Sequence, residues 1–208
     1  MMNIGPIFSS LLATEDTSQL IDPTVVSNQI LQDREQGKGF NQKGGWQSEF
    51  LDIESTLKPL SDLIKERANS VCKEVMGVDE NVEVRLHNCW ANINTSNTPY
   101  VIHSSMPHIH ANNIISFVYY AKAEPGCGNI TLITPTIAQE YTLPMEFTTG
   151  QTNPFSSTRM HVTPSSGMLI AFNSYLMHHV EPNMSGQDRI SLAFNFALPC
   201  HTDAIDHH

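Results

Sequence analysis

The chain has 208 residues, with 11 lysines and arginines against 21 aspartates and glutamates, a net charge of 11 − 21 = −10 with histidines neutral. That length suits one domain with a substantial core, and the acidic balance repels phosphate backbones and anionic lipid, which argues against nucleic acid as a general partner. The cysteines at 72, 89, 127 and 200 have no zinc-knuckle or dithiol spacing, the first twelve residues lack a leader's basic flank, and no apolar run reaches the roughly 18 residues of a membrane span, so the sequence reads as a soluble cytoplasmic protein with reduced thiols.

In chain order, the first predicted element is a helix from about Pro23, a favourable first-turn residue, to Gln36. The glycine-rich stretch Gly37 to Gly45 then reads as a loop. A second helix is predicted over Pro59 to Met76, where Leu60, Leu63, Ile64, Ala68, Val71, Cys72, Val75 and Met76 recur at three- and four-residue steps and Gly77 suits a left-handed stop. Near residue 80 the period changes. Short apolar segments follow at Val82 to Asn94, Ile114 to Lys122, Asn129 to Ile133, Met160 to Thr163, Gly167 to Phe172 and Arg189 to Leu198, separated by turn-forming residues such as Glu124-Pro125-Gly126 and Glu181-Pro182-Asn183. Helices packed on a β sandwich or barrel are the expectation, within one domain over 1–208: a mostly helical support region over 1–80 and a β core over 82–198. Thr134 to Ser157, weakly periodic, reads as a long loop able to cover a pocket.

Pro107-His108-Ile109-His110 alternates with period two, so on a strand both imidazoles project from one face and can grip one transition-metal ion. A third ligand is available from Tyr175-Leu176-Met177-His178-His179-Val180, 178 − 108 = 70 residues later. Extended backbone points His178 and His179 opposite ways, so one of them binds, and the residues alone do not choose. Arg189 lies 189 − 178 = 11 residues further on, sharing one strand face with Ser191, Ala193 and Asn195. A guanidinium in so apolar a strand needs a partner and fits a carboxylate with two parallel hydrogen bonds, Ser191 adding a hydroxyl; the plainer alternative is an arginine reaching solvent or Asp188.

Together these residues resemble the Fe(II)- and 2-oxoglutarate-dependent oxygenase superfamily, in particular a group from bacteria and phages. The resemblance runs from Trp90 to Phe196 through Cys89-Trp90-Ala91-Asn92, Pro107 to Asn112, Ser116 to Tyr120, Gly167 to Phe172 and His178 to Asn195, with Gly44 to Ser48 a weaker match. It implies a double-stranded β-helix, or jelly roll, with N-terminal helices; iron on His108, His110 and His178, His178 being favoured over His179 by the group's pattern; and 2-oxoglutarate anchored by Arg189 and Ser191. His110 stands where the superfamily usually has Asp or Glu, which leaves the site one negative charge poorer. The implied reaction consumes molecular oxygen and 2-oxoglutarate, releases succinate and CO2, and hydroxylates a small-molecule or peptide substrate. Asn112 and one of Tyr119 and Tyr120 are pocket candidates, whereas Trp90 reads as core. Two other readings fit the same residues: a cupin-like three-histidine metalloenzyme without 2-oxoglutarate, and a non-catalytic jelly-roll binding module.

Overall fold

A computed structural model describes residues 9–42, 44–49, 51–96, 106–136, 138 and 155–199. Its elements in chain order are β1 (Leu12–Asp16), α1 (Pro23–Glu35), β2 (Gly39–Gln42), β3 (Gly45–Ser48), α2 (Lys58–Ser70), β4 (Arg85–Asn94), β5 (Ile115–Lys122), β6 (Ile130–Ile133), β7 (Arg159–Val162), β8 (Met168–Asn173), β9 (His178–Val180) and β10 (Arg189–Ala197). Helix α1 begins as its sequence dictates: Asp22 caps it by accepting a hydrogen bond from Thr24 N, and Pro23 takes the first turn, where its missing N–H costs nothing. Helix α2 widens into one π turn over Val71–Val75 and stops at Gly77, whose φ of 72° is open to glycine at no steric cost.

The strands form two antiparallel sheets. The larger has the order β1-β8-β5-β10-β4-β3-β2 and the smaller β7-β6-β9. The two sheets, packed face to face, make the double-stranded β-helix, with both helices on the outer face of the larger sheet. Alternation along each strand divides the residues between two cores. Val26 and Ile30 of α1 and Leu60, Ile64, Ala68 and Cys72 from α2 and its π turn pack on Ala91, Ile93, Phe117, Tyr119, Leu192 and Phe194. Between the sheets, Tyr120, Ile170 and Phe172 meet Ile130 and Leu132, with Cys127 and Leu176 closing the ends. Tyr119 and Tyr120 therefore face opposite sides, and it is Tyr120 that points into the barrel.

The first 80 residues contribute more strand than their periodicity announces. Gly37 to Gly45 is not a loop: it contains β2 and the start of a hairpin whose second strand, β3, pairs with β4 as Gly45↔Asn94, Trp46↔Ile93 and Gln47↔Asn92. The glycines are there for contact. A Cβ on Gly45 would run into the Ile93 carbonyl, and one on Gly39 into the Trp46 ring and the Gln47 carbonyl. Likewise β1 pairs with β8, extending the sheet on its other edge. Of the loop expected over Thr134 to Ser157, residues 137 and 139–154 lie outside the described residues.

Candidate active site

His108 and His178 are brought together by a single rung of main-chain pairing. His108 N donates to His178 O at 3.0 Å and His178 N to His108 O at 2.9 Å, an isolated antiparallel bridge that sets both side chains on one side of the rung. The segment around His110 is a turn rather than the strand its alternation suggests; His110 N is held by Ser174 O at 3.0 Å, in the turn that leads to His178. The three imidazoles converge. Ring centroids are 4.3 Å apart for His108 and His178, 5.0 Å for His110 and His178 and 5.3 Å for His108 and His110, and one nitrogen from each lies within 4.8 Å of the others.

Two of the rings are oriented by the same device. His108 Nδ1 lies 2.9 Å from Met106 O and His178 Nδ1 lies 3.0 Å from Leu176 O, each a carbonyl two residues upstream. A carbonyl only accepts, so each Nδ1 carries the proton and each Nε2 keeps its lone pair for a metal. Burial also favours the neutral rings: it pushes the His178 pKa down to about 3 and, with the neighbouring His108, that of His110 down to about 4. His179 takes the other side of β9, in register opposite Thr131, away from the cluster. Phe172 lies 4.8 Å from His178, and Trp90 lies 5.5 Å from His110. Trp90 is thus not the core residue its size suggested. It shares the inner face of β4 with Asn88, Asn92 and Asn94, an alternation visible in the sequence.

Arg189 sits on the inner face at the start of β10 and is 1 % exposed. Its Nη1 donates to Cys127 O at 2.7 Å, with Gly128 O at 3.3 Å and Glu181 O at 3.4 Å, and Nη2 donates to Asn94 Oδ1 at 3.0 Å. The alternative that Arg189 pairs with Asp188 fails, since Asp188 is engaged by Arg34 at 3.6 Å. Among the described residues no carboxylate pairs with Arg189, and its buried Nε has no hydrogen-bond partner. Burial lowers its pKa, against the raising influence of Tyr120, Cys127 and the Glu181 carboxylate, which makes no ion pair with it. Ser191 is buried on the same face, in register opposite Tyr120 on one side and Asn92 on the other. The Tyr120 phenol is pushed up to about 12 by burial, against the opposing influence of Arg189, so it is a neutral O–H. Asn94, which sequence reasoning missed, is the residue that braces the guanidinium. Asn112, with φ of 64°, lines a surface cavity of about 710 Å³ with Met76, His87, Asn113, Ile114, Asn173, Tyr175 and Leu198.

Three converging imidazoles, two of them with Nδ1 committed to a carbonyl, suit a borderline divalent metal such as iron. An uncompensated buried guanidinium with an orphaned N–H suits a carboxylate. The site therefore fits both an iron ion and a dicarboxylate co-substrate.

A family model described as "Putative 2OG-Fe(II) oxygenase" matches residues 88–195, which is 195 − 88 + 1 = 108 of the 208 positions. No curated protein sequence matches the chain. Solved structures share the fold at low identity. A prolyl-4-hydroxylase from Pseudomonas putida superposes with a TM-score of 0.61 at 12 % identity over 89 % of this chain and 92 % of its own. A Trichoplax adhaerens prolyl hydroxylase, in complex with a hypoxia inducible factor peptide, has a TM-score of 0.61 at 15 % identity over 89 % and 83 %. HygX from Streptomyces hygroscopicus, with nickel, 2-oxoglutarate and hygromycin B bound, has a TM-score of 0.55 at 14 % identity over 91 % and 83 %.

Proposed function

This chain belongs to the 2OG-Fe(II) oxygenase family, and on that premise we propose that His108, His110 and His178 hold its iron, that Arg189 and Ser191 hold the far carboxylate of 2-oxoglutarate, and that the reaction is a hydroxylation. The observation that carries the reading is the convergence of three imidazole nitrogens within 4.8 Å at one end of the barrel. With iron and 2-oxoglutarate bound, one atom of O2 enters succinate as CO2 leaves and the other enters a C–H bond of the substrate as hydroxyl.

The chain's own residues supply geometry and dryness. His108 and His178 arrive with their Nδ1 protons already committed to carbonyls, so little reorientation is needed to present Nε2. The Arg189 Nε–H and the remaining Nη2 hydrogen are the donors left for a carboxylate after the main chain and Asn94 have taken the rest. Ser191 and the neutral Tyr120 phenol, neighbours in register, add hydroxyl donors to the same anion. Phe172 and Trp90 flank the histidines and keep water from the reacting centre. No described helix is long and apolar enough to cross a membrane. The three described cysteines are free thiols, which suits a cytoplasmic enzyme.

Anaerobic titration with Fe(II) and then 2-oxoglutarate tests this directly. A weak visible charge-transfer band is expected only when the keto acid chelates the metal. With Arg189→Leu the metal stays bound, while 2-oxoglutarate affinity falls roughly a hundredfold, the size of a lost charge-assisted hydrogen-bond pair. No band with the wild-type protein would favour the cupin-like alternative, and equal loss of metal and co-substrate in Arg189→Leu would contradict the separate roles.

A further inference from the structure

At the mouth of the barrel the inner face of β4 ends on Asn88, whose side chain is exposed. Its Oδ1 is occupied by a hydrogen bond from Asn195 Nδ2 at 2.7 Å. Asn195 Oδ1 accepts in turn from Ser116 Oγ at 2.6 Å. Having spent its only proton there, Ser116 must accept from Ser174 Oγ, 2.8 Å away. Ser174, Ser116 and Asn195 are all buried, so no water competes for these bonds. With the amides as placed, the chain of bonds runs from Ser174 to Asn88 and leaves both N–H groups of Asn88 Nδ2 free to donate. Turning the Asn88 amide over alone would set N–H against N–H at Asn195 and cost about 1–3 kcal/mol for the unmade bond. The other end of the chain is Ser174, whose carbonyl holds His110 N, and Trp90, two residues along the same face from Asn88, lies against the His110 ring. The donors thus stand beside the histidine cluster.

The described segments that carry the cluster hold no formal charge. Residues 86–96, 106–121 and 160–180, which together hold His108, His110 and His178, contain no Asp, Glu, Lys or Arg in a chain with 11 + 21 = 32 of them. Within three residues of a clustered histidine, Met106, Ile109, Tyr175 and Met177 are 63 %, 49 %, 50 % and 40 % exposed. Several large apolar groups left in water on the segments that carry the cluster offer contact to a partner.

We propose that Asn88 determines specificity by donating hydrogen bonds to an oxygen of the substrate, and that the substrate enters as an uncharged stretch of polypeptide. The inference rests on the oxygenase reading above and names the substrate class of that same site. A charged segment would give up water here and find no counter-charge in the described segments that carry the cluster. A neutral polypeptide offers carbonyl oxygens to Asn88 and apolar side chains to Met106, Ile109 and Met177, and methionine adapts its shape to varied apolar partners. A neutral sugar would satisfy the amide but leave the apolar groups uncovered.

The test uses the Fe(II)-loaded full chain with 2-oxoglutarate and oxygen. The probes are N-acetylated, C-amidated decapeptide pools of Ala, Pro, Leu, Asn and Gln, the same pools with three Lys or three Glu, and maltohexaose. The neutral pool should raise succinate above the probe-free rate and gain oxygen by mass spectrometry, with both charged pools lower in kcat/KM by about tenfold or more, the worth of one stranded charge. Asn88→Asp keeps the acceptor for Asn195 and removes the donors, and Asn88→Ala removes both; each should raise KM for the neutral pool about tenfold with a smaller change in kcat. A charged pool or maltohexaose performing best, no pool raising succinate while the charge-transfer band is present, or KM unchanged in both variants would overturn the inference. Loss of the band itself would instead overturn the oxygenase reading.

Discussion

Along β10 the residues that face the helices are Ile190, Leu192, Phe194 and Phe196, whereas those that face the small sheet are Arg189, Ser191, Ala193 and Asn195. The same division runs through β4, with Ala91 and Ile93 outward and Asn88, Trp90, Asn92 and Asn94 inward. Along β4 and β10 the sheet therefore has a face that holds the fold together and a face that is expensive to fold, while the inner face of β5 and β8 adds a second apolar core. Each buried aliphatic side chain on the outer face contributes about 1.5–3 kcal/mol of transfer free energy. The inner face buries a guanidinium and a ladder of amides whose hydrogen bonds at best offset their lost hydration. That cost makes sense only for a surface that meets a ligand, and it separates what stabilises this protein from what it does.

Three experiments press on the separation, beginning with the largest effect. His178→Ala should abolish stoichiometric Fe(II) binding and succinate formation while leaving the far-ultraviolet circular dichroism of the wild type; a variant that still binds one iron per chain would remove His178 from the ligand set. Ile64→Ala, at a fully buried position on the helix side, should cost about 2–5 kcal/mol of stability with iron affinity unchanged. If that substitution weakened iron binding as much as it weakened the fold, the two faces would not be independent.

The smallest effect is in pH. The unfolded chain protonates its histidines near their ordinary value of 6.5, whereas folded His110 and His178 resist protonation down to about 4 and about 3. Between those limits the unfolded state binds more protons, so stability of the metal-free protein should fall as pH drops below 6.5 and be insensitive to these groups above it. Melting temperatures at pH 7.5 and 5 check the sign, and the decline should shrink in His178→Gln. A metal-free protein that melts higher at pH 5, with no difference from His178→Gln, would show that the burial of these rings does not control its stability.

Much of this was legible before any coordinates. Pro23 and Gly77 marked real helix boundaries because their effects are local: one fixes φ, the other permits a positive one. Strands β4 to β8 and β10 were legible because alternation or a continuous apolar run survives in any context. The triad and Arg189 were readable through their order and spacing, although the pairing that joins residues 70 apart could only be inferred from resemblance. What stayed hidden depends on partners far along the chain. Strand β1, Leu12–Asp16, has two acidic residues in five and is a strand because β8 offers its edge. The β2–β3 hairpin looked like a loop because its glycines are selected by the Trp46 ring and the Ile93 carbonyl, not by local flexibility. Trp90 was assigned by bulk when its alternation with asparagines was the better guide. Asn94 gave no signal, since a brace for a guanidinium 95 residues away leaves no local pattern.

The rung between His108 and His178 has a consequence for how such a site persists through sequence change. The imidazoles of His108 and His178 are spaced by reciprocal main-chain hydrogen bonds, which any residue but proline can make, so the distance between them is stored in the ladder and not in the 178 − 108 − 1 = 69 residues that connect them. Insertions and deletions in the loops of that connecting sequence leave this spacing intact provided the rung forms, whereas His110 and strands β5 to β8, which lie within it, are held by the cluster and the fold. The separation of the two rings is in this sense decoupled from the length of the chain between them, and the loops are free to vary while the strands that align the rung are kept.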